Sequence, residues 1–413
     1  MANLEQDKLK FEFPQRLKMI SLVLVGIGLA LTITQVFVPW HGEGGGEHGN
    51  PRLYISILLA LLVALPLSLG GIYFTALHHA SGAAWSVTVR RIAENYFWFL
   101  PFCLIALAVV FVGLGDAYHH WVGKTEDPVI AWKSAYLNTS FFIGRNTVIL
   151  ILWTLFGFLF WKKSTNQDLD GNVSHTKSMI KWSAGFLVVF CLTLSVNSWD
   201  LSMSLEPHWF STMWAVYIFA GLALTTFASL ILWVNYLKGQ GLLGNAVNEN
   251  HIHDMGKYLW GHTIFWGYIM ICQYLLIWYG MLPEETIFYH KRMFDVVDGN
   301  LVFNTWAIFS LALVVVRFAI PFFALLKREN KRNIKFLSVI AWIVILGQIL
   351  DMYWVAYPTL QEHGEFVMFS WQEIGTLMLL GGAYIFVVGS ALSRKPLVPV
   401  KDPKLEECLH MHH

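Results

Sequence analysis

The chain is short of charge. Only 13% of its 413 residues are Asp, Glu, Lys or Arg, while 56% are hydrophobic. That is roughly half the charged share of a soluble domain and excludes a chain that keeps most of its surface in water. Cysteine is scarce too, with four residues. None forms a C-x-x-C-H or cluster-type spacing, which argues against covalent haem or an iron–sulfur cluster held by this chain. Cys103, Cys191 and Cys272 fall in apolar runs and read as small buried hydrophobes; Cys408 lies near the C-terminus. There is no Walker-type phosphate loop, so ATP-driven transport has no support. No apolar run carries a histidine near its centre, His262 being the nearest, which argues against haem held between helices. No nucleophile–base pair stands out, and a net charge of +1 offers little to nucleic acid.

What the chain has in abundance is long apolar runs, and about 20 such residues suffice to cross a hydrocarbon core of ~30 Å as a helix. Ten are predicted: Met19–Val38, Tyr54–Leu77, Tyr96–Leu114, Ser140–Trp161, Ile180–Ser198, Thr212–Tyr236, Leu259–Met281, Leu301–Leu326, Ile334–Tyr353 and Ser370–Leu392. The runs are continuous rather than alternating with period two, so strands are disfavoured. The expected fold class is an all-α integral membrane protein with ten transmembrane helices.

Placing the N-terminus in the cytoplasm gives the inner segments 21 Lys and Arg and the outer ones five: Arg52, Lys124, Lys133, Lys291 and Arg292. This asymmetry puts both termini in the cytoplasm. The polar start, MANLEQDKLKFEFPQR, lacks the pattern of a cleaved leader, so the first span is expected to stay as an anchor. The stretch HGEGGGEHGNP, with Gly44, Gly45 and Gly46, reads as a flexible outer loop. The aromatic-rich loop after the third span reads as an interface-lying segment or a docking surface. Residues 393–413 read as a cytoplasmic tail whose CLHMHH end is floppy. His78 and His79 read as solvated loop residues, and the 19 tryptophans mostly as interfacial anchors.

A shift of four spans makes several marks recur. The fourth and eighth spans each hold one arginine, Arg145 and Arg317. The fifth and ninth begin IKW and IKF and end in an Asp-x6-Pro signature, Asp200 with Pro207 and Asp351 with Pro358. A four-span offset preserves orientation, so the chain is expected to hold two parallel-repeat four-helix bundles, residues 54–200 and 212–355, with two flanking helices.

An ionisable group at the edge of a lipid-embedded helix is costly, and its default reading is functional. Asp200 lies 19 residues beyond Lys181, about 28 Å up at the rise of an α-helix. Arg145, 17 before Lys162, is at a similar height, so an Arg145–Asp200 ion pair is expected. Asp351 lies 16 beyond Lys335, about 24 Å up, whereas Arg317, 10 before Lys327, lies near the bilayer middle at about 15 Å. On these heights Arg317 meets Gln348 or Gln273 more easily than Asp351, which is left without a charged partner. Glu94, Asp254 and His262 fall on the inner side, and Glu206, His208 and Glu373 on the outer side. Carboxylates and imidazoles at graded depths are the parts of a proton relay, and they serve equally to fix helix packing.

With ten spans, a duplicated bundle, the segment DLSMSLEPHWFSTMW from Asp200 and the segment HIHDMGK from His251 to Lys257, the chain resembles the NrfD and polysulfide-reductase membrane subunits. The likeness is closest to the shorter of the two such subunits of bacterial alternative complex III. The resemblance implies a place in a quinol-oxidising complex of the bacterial inner membrane, with menaquinol as a substrate of the complex. Iron–sulfur clusters and c-type haems would belong to partners. Those partners would be a second, quinol-binding NrfD-like subunit, an iron–sulfur subunit, c-type cytochrome subunits and a terminal oxidase. No cofactor is expected on this chain itself; its role would be to offer a proton path and to anchor the others. A purely structural scaffold is the first alternative and a secondary transporter the second.

Overall fold

The computed structural model describes residues 6–38, 49–297, 300–361 and 366–411. The expected glycine-rich loop at Gly44 to Gly46, the first five residues and the last two histidines lie outside the described residues. The chain is an all-α, multi-pass membrane protein. Among the described residues, ten helices are long and apolar enough to cross a bilayer: α1 (Gln15–Gln35), α2 (Pro51–Ala80), α3 (Val87–Val112), α4 (Thr139–Asp170), α5 (Ser174–Leu205), α6 (Trp214–Gly239), α7 (Glu249–Gly280), α8 (Thr305–Ala324), α9 (Ile334–Leu360) and α10 (Trp371–Leu392). The one described sheet is an antiparallel hairpin between α7 and α8, with Phe294 opposite Phe303 and Asp295 opposite Val302.

The helices start where side chains can satisfy the free N–H groups of a first turn. Asn50, Asn138, Asn248, Asn304, Asn333 and Ser370 each cap one. Proline shapes two of the spans from inside. Pro101 sits in the first turn of the second segment of α3, after a 3₁₀ turn at Tyr96–Phe99. In α8, Pro321 cannot donate to the carbonyl of Arg317 and its ring crowds that group. The helix widens there into a π turn over Val315–Ala319, and Ile320 N–H reaches back to the carbonyl of Val315.

Burial separates a hub from a rim. In α2, 94% of the apolar window is buried inside the protein and in α6 78%, against 11% in α1. The two hub helices cross closely at Gly70, where a Cβ would lie 1.8 Å from Thr226 Oγ1. Helices α3, α5 and α10 pack on α2, while α7 and α9 pack on α6. At the rim, α1 lies along α10 through small residues. A Cβ at Gly28 would meet the backbone of Leu379 at 2.3 Å, and one at Gly382 would meet Leu24 Cβ at 2.8 Å. Without a hydrophobic driving force between helices in lipid, such close backbone approach is what holds a pair together.

Several sequence expectations need correction. Helix α2 runs on to Ala80, so His78 and His79 belong to its last turn and are buried at 1% and 4% exposure. Some of the tryptophans are not surface anchors: eight of the 18 described ones, Trp153, Trp214, Trp266 and Trp306 among them, are core residues. Cys103 is buried, but Cys191 is exposed on the flank of the bundle. The C-terminal segment packs against the bundle, and its CLHMHH end, expected to be floppy, begins at a buried residue, Cys408. Leu397, Val398 and Cys408 are buried, and Leu397 N–H donates to the carbonyl of Leu9, which brings the two terminal segments together at one end. That end is called the termini end below. At the far end, the aromatic loop folds down onto the bundle. Tyr118 and Trp121 are buried, and the Tyr118 hydroxyl donates to the carbonyl of Leu201 at 3.0 Å.

Candidate functional site

The two arginines that the sequence reading places inside spans, Arg145 and Arg317, each meet an aspartate. Arg145 on α4 donates to Asp200 on α5 through Nε at 2.6 Å and Nη2 at 2.8 Å. Asn146 Nδ2 and the Tyr136 hydroxyl donate to the same carboxylate, at 2.8 and 2.9 Å. The guanidinium lies over the rings of Tyr136 and Phe141, 3.9 and 4.3 Å from their centroids. The expected pair is present, and Asp200 is saturated with donors.

The second pair overturns the expectation that Asp351 lacks a charged partner. Arg317 Nη1 on α8 donates to Asp351 Oδ2 on α9 at 2.5 Å, and both side chains are buried. The reason is the direction of the side chains rather than the height of the backbone. In a helix Cα–Cβ bonds tilt toward the N-terminus. α8 runs toward the termini end and α9 away from it, so Arg317 leans up and Asp351 leans down, and the long arginine closes the remaining gap. The Gln348 contact was expected and is present, Nη2 donating to its side-chain oxygen. Gln273 is not involved. A Cβ at Gly221 on α6 would sit 2.8 Å from Nη2, so the guanidinium occupies the space a larger residue would need.

The comparison of the two pairs exposes a signal missed in the sequence. Asn197 and Gln348 each stand three residues before their aspartate and join its network. The shared pattern is therefore amide-x-x-Asp-x6-Pro.

From Asp351 a line of polar side chains follows one face of α6. Tyr217, Gly221, Thr225 and Ser229 are spaced by four and lie on one stripe of the helix. The Tyr217 hydroxyl donates to Asp351, and Thr225 Oγ1 donates to Gln348 Oε1 at 3.0 Å. Ser229 Oγ is 2.9 Å from the Tyr384 hydroxyl on α10 and donates to that of Tyr96 on α3 at 3.2 Å. Tyr96 stands two residues beyond Glu94. None of Tyr217, Thr225, Ser229, Tyr96 or Tyr384 stands out in the sequence, because one hydroxyl on an apolar helix carries no weight until its neighbours are known.

At the termini end Glu94 is buried between two arginines, accepting from Arg90 Nε at 3.3 Å and Arg91 Nε at 3.0 Å. Arg91 also reaches Asp168 at 2.8 Å, and Arg90 reaches Asp402 of the C-terminal segment. That segment is pinned further by Lys404, which donates to the carbonyl of Gly82, and by Cys408 Sγ, 3.1 Å from His251 Nε2. Burial pushes the Cys408 thiol above its ordinary pKa. His78 Nδ1 donates to the carbonyl of Phe74 at 2.7 Å, and Nε2 of His78 and of His79 are buried without a partner. The other predicted residues here stand apart from Glu94. Asp254 pairs with Lys257 at 2.5 Å, and His262 is half-buried, stacked on Phe227 with its ring 5.0 Å away.

At the far end the three predicted residues belong to separate groups. Glu373 is fully buried, accepts from Arg52 Nε at 3.0 Å and from the Tyr357 hydroxyl at 2.6 Å. His208 is exposed and pairs with Asp127 at 2.7 Å. Glu206 meets Lys291 at 3.2 Å and Arg292 at 3.9 Å. Burial pushes its carboxyl up, but the two cations outweigh this and hold it below the ordinary value. Arg292, read from the sequence only as an outer charge, is fully buried and spans both signature segments. It donates to the carbonyls of Trp354 and Val355, at 3.1 and 3.0 Å, which the end of a helix leaves without partners. Burial lowers this guanidinium to about 10, so it stays charged at neutral pH.

Among the described residues, no three His, Cys, Asp or Glu side chains converge as metal ligands would. Comparison with known proteins finds no matching family model and no matching curated protein.

Proposed function

We propose that the α6 polar ladder carries protons between Glu94 and Asp351, and that this chain is a membrane subunit of a quinol-oxidising respiratory complex. The observation that carries the reading is the ladder itself. Asp351, Arg317, Gln348 and Thr225 form one hydrogen-bonded group, and Ser229, Tyr96 and Tyr384 form the next, one helical turn along the second most buried span. Polar groups in a hydrocarbon layer are expensive and mark ion or proton pathways, and hydroxyls both donate and accept, as a relay requires. In this reading the termini end faces the cytoplasm, as the 21-to-5 distribution of Lys and Arg supports. Glu94 then stands at the entry and Asp351 toward the exit.

The respiratory setting rests on the resemblance to the NrfD-like subunits of alternative complex III, with the chain in the place of the shorter one, ActF. Menaquinol, iron–sulfur clusters, c-type haems and the partner subunits that hold them belong to that proposal, as does the bacterial inner membrane. The test is proton translocation by the complex reconstituted in liposomes. Asp351→Asn and Tyr96→Phe are expected to lower the proton-to-electron ratio while quinol oxidation persists. An unchanged ratio in both variants would sink the relay.

A scaffold role is the second reading, and the saturated Arg145–Asp200 clamp favours it for the first bundle. Under it, variants along the ladder would reduce thermal stability or assembly and leave coupling intact in whatever complex survived.

A further inference from the structure

We infer that an anionic phospholipid binds between α1 and α6, with one acyl chain in a lateral groove and its phosphate at the termini end. The inference rests on the membrane-spanning fold and not on the proton reading. An apolar cavity of about 290 Å³ opens between five spans, with Leu17 of α1, Ala64 of α2, Trp233 and Tyr236 of α6, Ile345 of α9 and Gly381 of α10 on its walls. Its only hydroxyls besides that of Tyr236 are those of Ser229 and Tyr384, which already bond to each other. The deep part therefore suits a hydrocarbon chain and leaves a polar head group nothing to recognise.

A second, separate cavity, of about 420 Å³, lies nearer the termini end and is lined by Lys10, Phe11, Glu12, Pro14, Gln240 and Leu242. The same two elements flank both spaces. Pro14 precedes Leu17 by three residues and Gln240 follows Tyr236 by four, so the offset is about one turn, roughly 5 Å. The rings of Phe11 and Tyr236, 6.4 Å apart, stand between them. The mouth is polar and is lined by one lysine and one carboxylate, Lys10 and Glu12; Arg16 and Lys18, two and four residues beyond Pro14, are exposed on the adjoining first turn of α1 and tip the balance of this segment to positive. Lys and Arg at a membrane surface attract anionic lipid. An apolar slot that ends near a basic segment favours a phospholipid of net negative charge over a zwitterionic one, whose phosphate is balanced by its own ammonium, and over a quinone, whose head would have to sit in the dry part.

The experiment is native mass spectrometry of the full chain after exchange from nanodiscs holding equal phosphatidylglycerol and phosphatidylcholine. About one phosphatidylglycerol per chain is expected to stay bound, at least threefold over phosphatidylcholine. A Cβ at Gly381 meets nothing within 4 Å, so Gly381→Leu should fill the slot without disturbing the bundle and reduce retention at least threefold. Lys10→Glu with Arg16→Glu leaves the slot intact and should abolish the preference between the two lipids. Equal retention of both lipids by the unaltered chain, or undiminished retention in Gly381→Leu, would overturn the inference. A retained quinone in place of the phospholipid would do the same. Should Gly381→Leu fail to fold, the charge-reversal pair still decides the matter.

Discussion

The two Arg–Asp pairs stand four spans apart and are built from the same parts, yet their surroundings differ. Arg145 and Asp200 close on themselves. The carboxylate receives four donors, the guanidinium is stacked on two rings, and the polar contacts run on only to Asn197. Arg145 is 8% exposed at the far boundary. Arg317 and Asp351 are fully enclosed, seated against the hub helix, and pass through Gln348 and Thr225 into the ladder on α6. A motif that occurs twice in the chain is thus a clamp at its first occurrence and one end of a polar line at its second. The difference lies in the neighbour. Helix α6 brings Tyr217, the gap at Gly221 and Thr225 to the second pair, whereas the loop residue Tyr136 covers the first.

The comparison can be broken most directly through stability. Arg317→Ala strands a buried carboxylate, and about 3–5 kcal/mol should be lost, read as a large drop in the thermal midpoint of the detergent-purified protein. Replacing both partners with apolar residues, as in Arg317→Met with Asp351→Leu, should recover much of it. Arg145→Ala should cost less, about 1–3 kcal/mol, because water reaches the far boundary and Tyr136 and Asn146 still serve Asp200. Equal losses in the two alanine variants would erase the distinction drawn between the pairs.

A sharper cut comes from charge-neutral changes in the reconstituted complex. Asp351→Asn is expected to lower the proton-to-electron ratio by a measurable fraction, while Asp200→Asn leaves it unchanged and affects only stability. The reverse result would assign the ladder to packing and the clamp to transport.

The smallest effect is that of pH on the far end, where Glu206 of the first signature segment meets Arg292, which holds the end of the second. The Glu206 carboxyl is held below its ordinary value of 4.5. A depressed carboxyl contributes its stability in full above that ordinary value and loses it as pH falls through the folded one. Unfolding followed between pH 6 and pH 3 should show a small loss of stability from this group as pH falls below 4.5. Glu206→Gln should remove that component and leave the rest of the acid dependence alone. An unaltered profile would detach Glu206 from the link between the segments.

Much of the scaffold is legible in the amino-acid sequence. Ten apolar runs appear as ten helices, and the Arg145–Asp200 pair follows from counting residues along two neighbouring spans. The Arg317–Asp351 pair does not follow. Counting places backbones, and the meeting depends on two side chains leaning toward each other and on a π turn next to Pro321. His78, His79 and the segment from Leu397 to Cys408 escape a sequence reading for a related reason. Polar letters near a span edge look solvated until it is known what packs over them, and here the C-terminal segment covers the end of α2 and α3.

The sequence by itself determined the class of the protein, the number of its spans and the excess of positive charge on one side. Each of these depends on local composition set against the fixed thickness and polarity of a bilayer. Only the tertiary structure decided which polar groups meet. A hydrogen bond between spans depends on helix rotation, tilt and close crossings such as Gly70 on Thr226, none of which is a property of one segment. The second arginine found its aspartate, and the hydroxyls of α6 found Tyr96 and Tyr384, because packing brought three distant stretches of chain onto one face.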